Sequence, residues 1–302
     1  MTETPARSGT PAPTGLRMWI AGARPRTLPA ALIPVAVGTA IGKWESTSGV
    51  IWWRAACALI VSLAIQTGTN YANDYSDGVR GTDESRVGPM RLVSGGLAAP
   101  ATVKKAAFLS FLVAGVAGLA LAAATTWWVL LVGAGCFAAG WLYTGGPIPY
   151  GYLGLGEVFV FAFFGVVATM GSSYVQNSHL YIVSFVASLP VGLLATALLE
   201  SNNLRDIAGD SASSKRTLAV RVGQRRARWL YVVPLAMTAM GIGLLAHWRP
   251  YALIALVALP FAVRPIRLVM SGAENRSLLP VLAATGRLQI SVGLLLTVGI
   301  LV

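Results

Sequence analysis

Apolar residues in this chain fall in runs, and polar, Gly and Pro clusters separate them. Nine runs stand out: Leu28 to Gly42, Ile51 to Thr69, Ala106 to Ala123, Trp127 to Leu142, Leu155 to Met170, Leu180 to Leu199, Trp229 to Ala246, Tyr251 to Met270 and Leu279 to Val302. Each approaches the roughly 20 residues that carry an α-helix across a bilayer. The strict alternation of a membrane β-barrel is absent, so the backbone must satisfy its hydrogen bonds within helices. The pattern predicts an all-α integral membrane protein of about nine transmembrane helices, with residues 16–302 as one domain. Residues 1–15, rich in Thr, Pro, Ala and Gly, read as a disordered tail and not as a signal peptide. The first run is short and carries Pro29 and Pro34. The eighth contains Arg264 and Arg267, which must lie near an end that snorkels to the interface.

Composition agrees with this reading. Hydrophobic residues make up 55% of the 302 and charged residues only 11%, against about 25% charged in a soluble domain. That excludes an ordinary soluble globule and a disordered chain. The net charge of +12, from 23 Lys and Arg against 11 Asp and Glu, speaks first of topology and not of nucleic acid. Alternating nine spans puts all the basic residues on the side of the N-terminus except Lys43, Arg54 and Arg249. The positive-inside rule then places the N-terminus in the cytoplasm and the C-terminus outside the cell membrane, with the long polar loops cytoplasmic. Trp52, Trp53, Trp127, Trp128 and Trp248 fall at the outer boundary, where an aromatic belt sits. Cys57 and Cys136 lie inside apolar runs, which argues against a disulfide framework or a zinc site. His179 and His247 fall in loops. Any metal must therefore be held mainly by oxygen.

The acids are concentrated. Seven of the eleven lie in two segments on the cytoplasmic side: Asp74, Asp77, Asp83 and Glu84 after the second run, and Glu200, Asp206 and Asp210 after the sixth. If each apolar helix continues a turn or two beyond the membrane, residues three or four apart share a face. Asn70, Asp74 and Asp77 then form one oxygen-rich stripe, and Asn202, Asp206 and Asp210 another. Such stripes suit Mg²⁺, which takes one or two carboxylates and completes its shell with water and phosphate. Two facing stripes would clamp a diphosphate, with Arg80, Arg86, Arg91, Lys215 and Arg216 as cations around it. Asp and Asn also cap helices and favour turns, so one stripe alone would carry little weight. A cation-coupled transporter is the rival reading, but its acids belong near the bilayer midplane.

At NDYSDGVRGTD (Asn73 to Asp83) and NNLRDIAGDSASSKRTLAVRVG (Asn202 to Gly223) the chain resembles the UbiA superfamily of intramembrane prenyltransferases. RPRTLPAALIPVAVGTA (Arg24 to Ala40), GPMRLVSGG (Gly88 to Gly96) and YTGGPIPYGYLGLGE (Tyr143 to Glu157) resemble its branch acting on 1,4-dihydroxy-2-naphthoate in menaquinone biosynthesis. The resemblance implies a nine-helix bundle with a central cavity open to lipid and capped by two cytoplasmic Asp-rich loops. It implies a polyprenyl diphosphate donor, Mg²⁺, and 1,4-dihydroxy-2-naphthoate as acceptor. Asp74, Asp77, Asp206 and Asp210 would hold Mg²⁺ and diphosphate, supported by Asn70, Asn73 and Asn202. Lys215 and Arg80 would touch diphosphate, with Arg24, Arg86 and Arg91 as further candidates, and a carboxylate of the Asp motifs would help deprotonate a ring hydroxyl. The GVRGT insert between Asp77 and Asp83 argues against metal binding by Asp83. Tyr143, Tyr150 and Tyr152 read as interface anchors or as pocket lining, and Glu157 as a functional acid or a helix-start acid. Arg221, Arg225, Arg226 and Arg228 read as a topology signal or an anionic-lipid contact.

Overall fold

The computed structural model describes residues 13–46, 49–82, 90–213 and 215–302, and every described element is helical. Helix α1 (Gly15–Gly22) leads into α2 (Pro29–Trp44), and α3 (Trp52–Val79), α4 (Pro100–Ala124) and α5 (Trp128–Leu142) follow. Then come α6 (Gly156–Asn177) and α7 (Ile182–Ala212). A short α8 (Leu218–Val222) precedes α9 (Gln224–Leu245), α10 (Pro250–Met270) and α11 (Asn275–Leu301). Each of the nine apolar runs falls on one helix among the described residues. Six of these helices are long and apolar enough to span a bilayer, and the stretch from α1 through α2, bent by 58° at its break, passes the same test only when taken together. The chain is a multi-pass membrane protein. Helix α5 has 15 residues, and the second half of α3 is polar, with buried Gln66, Asn70, Asn73, Asp74 and Asp77.

Among the described residues, both acid motifs begin on helix. Helix α3 runs on to Val79 and α7 to Ala212 without a break, so Asp74, Asp77, Asp206 and Asp210 all lie on continuous helix. Of the expected tail, residues 1–12 fall outside the described residues, and a helix already begins at Gly15. That eight-residue helix is held against α3: the Tyr71 hydroxyl donates to the Trp19 carbonyl at 2.8 Å, and the two rings meet edge to face.

Lipid tails are as apolar as leucine, so close backbone approach replaces hydrophobic exclusion as the force between helices. Helix α2 packs on α6, α7 and α11, α3 on α4, α7 on α9, and α10 on α11. Glycine sets the α2–α6 contact. A Cβ on Gly38 would stand 2.2 Å from the Thr169 carbonyl oxygen, and one on Gly165 2.5 Å from the Gly192 Cα of α7. Ile33, Ile41, Leu194, Ile242 and Leu288 fill the core between these helices. Leu109, Leu112 and Val116 of α4 are more than 60% exposed, an outward apolar face that a bilayer would cover.

Candidate active site

The polar ends of α3 and α7 face a cavity of about 820 Å³ that extends to Trp128 and Leu180 at the far ends of α5 and the α6–α7 connection. Helix α5 packs on α3 and α4, whereas α6 packs on α2 and α7; the cavity lies between α5 and α6. Phe163 and Phe164 line it from a π-helical stretch inside α6, Phe161–Val167, a local widening that recurs at functional sites. The walls are largely apolar away from the mouth, with Arg24, Thr27, Gln66 and Asn70 as a polar patch. At the mouth Asn73 and Asp77 of α3 line the cavity with Asn202, Asp206 and Asp210 of α7, and Asn70 lines it two turns further along α3.

Lys215 joins the two helices. Its Nζ lies 3.8 Å from Asp77 Oδ2 and 3.6 Å from Asp210 Oδ1, with side chains less than 10% exposed. Its backbone N–H donates to the Asp210 carbonyl at 2.9 Å, which seats it just beyond the end of α7. Arg91 approaches the same Asp77 oxygen at 3.6 Å. The other oxygen, Oδ1, accepts from the Tyr152 hydroxyl at 2.9 Å, and the Tyr152 ring lies under both Lys215 and Arg80, each 5.5 Å from its centroid. Burial, and then the negative Asp77, push the Tyr152 phenol up from its ordinary value. It therefore stays a neutral donor to Asp77. Burial likewise holds Tyr143 and Tyr150 neutral, and for Tyr143 Glu157, Asp210 and Asp77 add to the effect.

Not every expected residue faces the cavity. Asp74 points to the connection before α4, where its two oxygens accept the Leu92 and Val93 N–H groups at 2.8 and 2.9 Å; Asn73 takes its place on the cavity wall. Asn73 Oδ1 accepts from Thr144 at 2.8 Å. Arg80 is exposed and turns away, donating to the Thr144 and Gly146 carbonyls. Asp206 is gripped by its neighbour Arg205, which donates through Nε and Nη2 at 2.7 Å each. Asn202 bonds back to the Leu198 carbonyl, and Arg216 is exposed. Arg86 and Asp83 lie outside the described residues. Glu157 is buried and accepts from Asn203 at 2.8 Å. Sequence reasoning passed over Asn203 and Thr144, whose residue types are common in loops and helices alike.

Among the described residues no three His, Cys, Asp or Glu side chains converge as a preformed metal centre. The carboxylates are instead held by Lys215, Arg91 and Arg205. The donor set at the mouth is nonetheless all oxygen, from two helices, beside cations suited to phosphate. That fits a hard divalent ion which shares its shell with a phosphorylated ligand.

The profile of the UbiA prenyltransferase family matches residues 31–279. The chain belongs to this family. A relative from Mycobacterium leprae named 1,4-dihydroxy-2-naphthoate octaprenyltransferase is 48% identical over 268 residues, covering 89% of this chain and 90% of its own. One of the same name from Escherichia coli is 34% identical over 292 residues, covering 93% and 94%. Solved UbiA homologues share the fold: one from Aeropyrum pernix, without ligand, has a TM-score of 0.67 at 14% identity and covers 90% of this chain and 96% of its own. Another from Archaeoglobus fulgidus, bound to GPP and Mg²⁺, has a TM-score of 0.61 at 14% identity, covering 92% and 99%. Membership of a prenyltransferase family sets the transporter reading aside.

Proposed function

We propose that this chain transfers a polyprenyl group from polyprenyl diphosphate to 1,4-dihydroxy-2-naphthoate, releasing diphosphate and carbon dioxide and forming demethylmenaquinol. The observation that carries the reading is the meeting of Asp77, Asp210 and Lys215 at the mouth of a largely apolar cavity. The naphthoate octaprenyltransferase relatives supply the acceptor, and the homologue solved with GPP and Mg²⁺ supports a divalent ion.

The chemistry asks for two opposed environments. The leaving diphosphate gathers charge as the allylic C–O bond breaks, so cations must stand ready where that charge develops. Lys215 and Arg91 stand there, fixed by Asp77, Asp210 and the Tyr152 ring. Asp77, Asp206 and Asp210, with Asn70, Asn73 and Asn202 beside them, would hold Mg²⁺; when bound, that ion neutralises charge on the diphosphate oxygens. Arg205 holds both Asp206 oxygens, and its grip must loosen for Asp206 to serve. The prenyl tail needs an apolar channel, and the gap between α5 and α6 supplies one. Water is kept from the allylic carbon by Phe163, Phe164 and their neighbours. The ring carbon bearing the carboxylate attacks that carbon; a ring hydroxyl gives its proton to a carboxylate of the mouth, loss of carbon dioxide restores the aromatic ring, and the proton returns. The excess of basic residues on that side supports a mouth that faces the cytoplasm.

The test is product formation by the detergent-purified protein with both substrates, with and without chelator. A prenylated, decarboxylated quinol that disappears with chelator supports the reading. Prenylation of other aromatic acceptors but not of the naphthoate would overturn the acceptor assignment, and no product with any acceptor would overturn the transferase.

A further inference from the structure

Arg24 is the cation at the cavity that the acid clamp does not use. It lines the cavity, whereas the ion pairs described for Asp77, Asp206 and Asp210 run to Arg91, Lys215 and Arg205. Its Nη2 is buried with no hydrogen-bond partner. A guanidinium nitrogen loses hydration when buried, so an unpaired one invites an anion.

Its backbone is strained as well. Arg24 adopts φ 54° and ψ 71°, left-handed values that cost a residue other than glycine about 1 kcal/mol or more. The surroundings enforce that conformation. The Thr27 N–H and hydroxyl both donate to the Arg24 carbonyl at 2.9 Å. Asn70 Nδ2 donates to the Ala23 carbonyl at 2.9 Å and to Thr27 Oγ1 at 3.3 Å, and Gln66 Nε2 donates to Thr27 Oγ1 at 3.0 Å. Two amides of α3 and one hydroxyl thus pin the residue, and strain maintained this way directs a side chain to a task.

The position decides which anion. Asn70 and Gln66 lie seven and eleven residues before Asp77 on α3, about 10 and 16 Å along the helix at 1.5 Å per residue. Arg24 is anchored at that level, inward from the Asp77, Arg91 and Lys215 corner that suits diphosphate. A polar wall of Thr27, Gln66 and Asn70 with one arginine fork matches a small aromatic acid with hydroxyls, since a fork binds a carboxylate with both oxygens. We infer that Arg24 binds the carboxylate of the aromatic acceptor and thereby selects acids over carboxylate-free naphthols. This deepens the naphthoate reading and rests on it for the identity of the acceptor, whereas the binding step can be measured by itself.

The experiment titrates the full-length protein in detergent with 1-hydroxy-2-naphthoate, read by its own fluorescence, and with 1-naphthol as the carboxylate-free control. In Arg24→Gln the acid should bind at least tenfold more weakly and 1-naphthol within twofold of wild type; Arg24→Lys, a charge without the fork, should fall between. In turnover, Arg24→Gln should raise the naphthoate KM by a similar factor and leave the polyprenyl diphosphate KM unchanged. Equal weakening of both ligands, a wild type that does not prefer the acid, or a rise confined to the diphosphate KM would each overturn the assignment. A wild type that binds the acid through Arg24 but never prenylates the naphthoate would refute the proposed transfer and leave the carboxylate site standing.

Discussion

Replacing Lys215 with Met removes a side chain that touches both acid-bearing helices while keeping an apolar stem of similar length. At 3.8 Å from Asp77 and 3.6 Å from Asp210, each attraction is about 4 to 5 kcal/mol in gross Coulomb terms at an effective dielectric of 20. Desolvation of the buried ammonium cancels much of that, so the effect on folding is smaller than the sum. The effect on turnover is larger, because loss of one preorganised charge at a developing anion costs on the order of 10²- to 10³-fold. The sign of a second effect is diagnostic. Lys215 neutralises the same carboxylates that a divalent ion would use, so its removal should lower the Mg²⁺ concentration giving half-maximal residual activity even as kcat collapses. Steady-state assays across a Mg²⁺ titration read both quantities. A variant with more than a tenth of wild-type turnover, or one that needs more Mg²⁺ than wild type, would refute this account of Lys215.

Other substitutions separate the roles further. Tyr152→Phe loses the hydroxyl bond to Asp77 but keeps the ring under Lys215 and Arg80; kcat should fall about tenfold, and Tyr152→Ala should fall well below that in the same assay. Asp74→Asn weakens a charged acceptor of two backbone N–H groups, a bond class worth about 1.5–3 kcal/mol each. Its thermal stability in detergent should drop along with its activity, whereas Asp210→Asn should lose activity at near wild-type stability. Gly38→Val drives a side chain into the Thr169 carbonyl, so α2 and α6 must part; a well-folded, monodisperse variant on size exclusion would contradict that packing.

Much of the helical layout was legible because bilayer thickness dictates run length; each run falls on a described helix, and six of those helices are long and apolar enough to span. What periodicity could not resolve was which edge of a stripe faces inward. Asn70, Asn73, Asp74 and Asp77 lie within about 100° of arc on an ideal helix, so Asn73 and Asp74 compete for the cavity. Tertiary contact decided it, because the Leu92 and Val93 N–H groups needed an acceptor and Asp74 supplied one. The placement of Arg80 was hidden for a similar reason. A cation beside an acid motif suggests phosphate, yet the nearby 143–146 connection offered carbonyls that no spacing rule reveals. Helix α1 escaped notice because eight residues bury little surface until α3 is there to receive them. Lys215 was read from its motif, but its bridge between two helices required the fold.

The most direct measurement follows the carboxyl carbon. Naphthoate labelled with ¹³C in its carboxylate, incubated with polyprenyl diphosphate, Mg²⁺ and the purified protein, should release one labelled carbon dioxide per diphosphate and per prenylated quinol, with all three lost together in Asp77→Asn and Lys215→Met. Diphosphate release without labelled carbon dioxide, or a prenylated product that keeps the label, would contradict the proposed reaction.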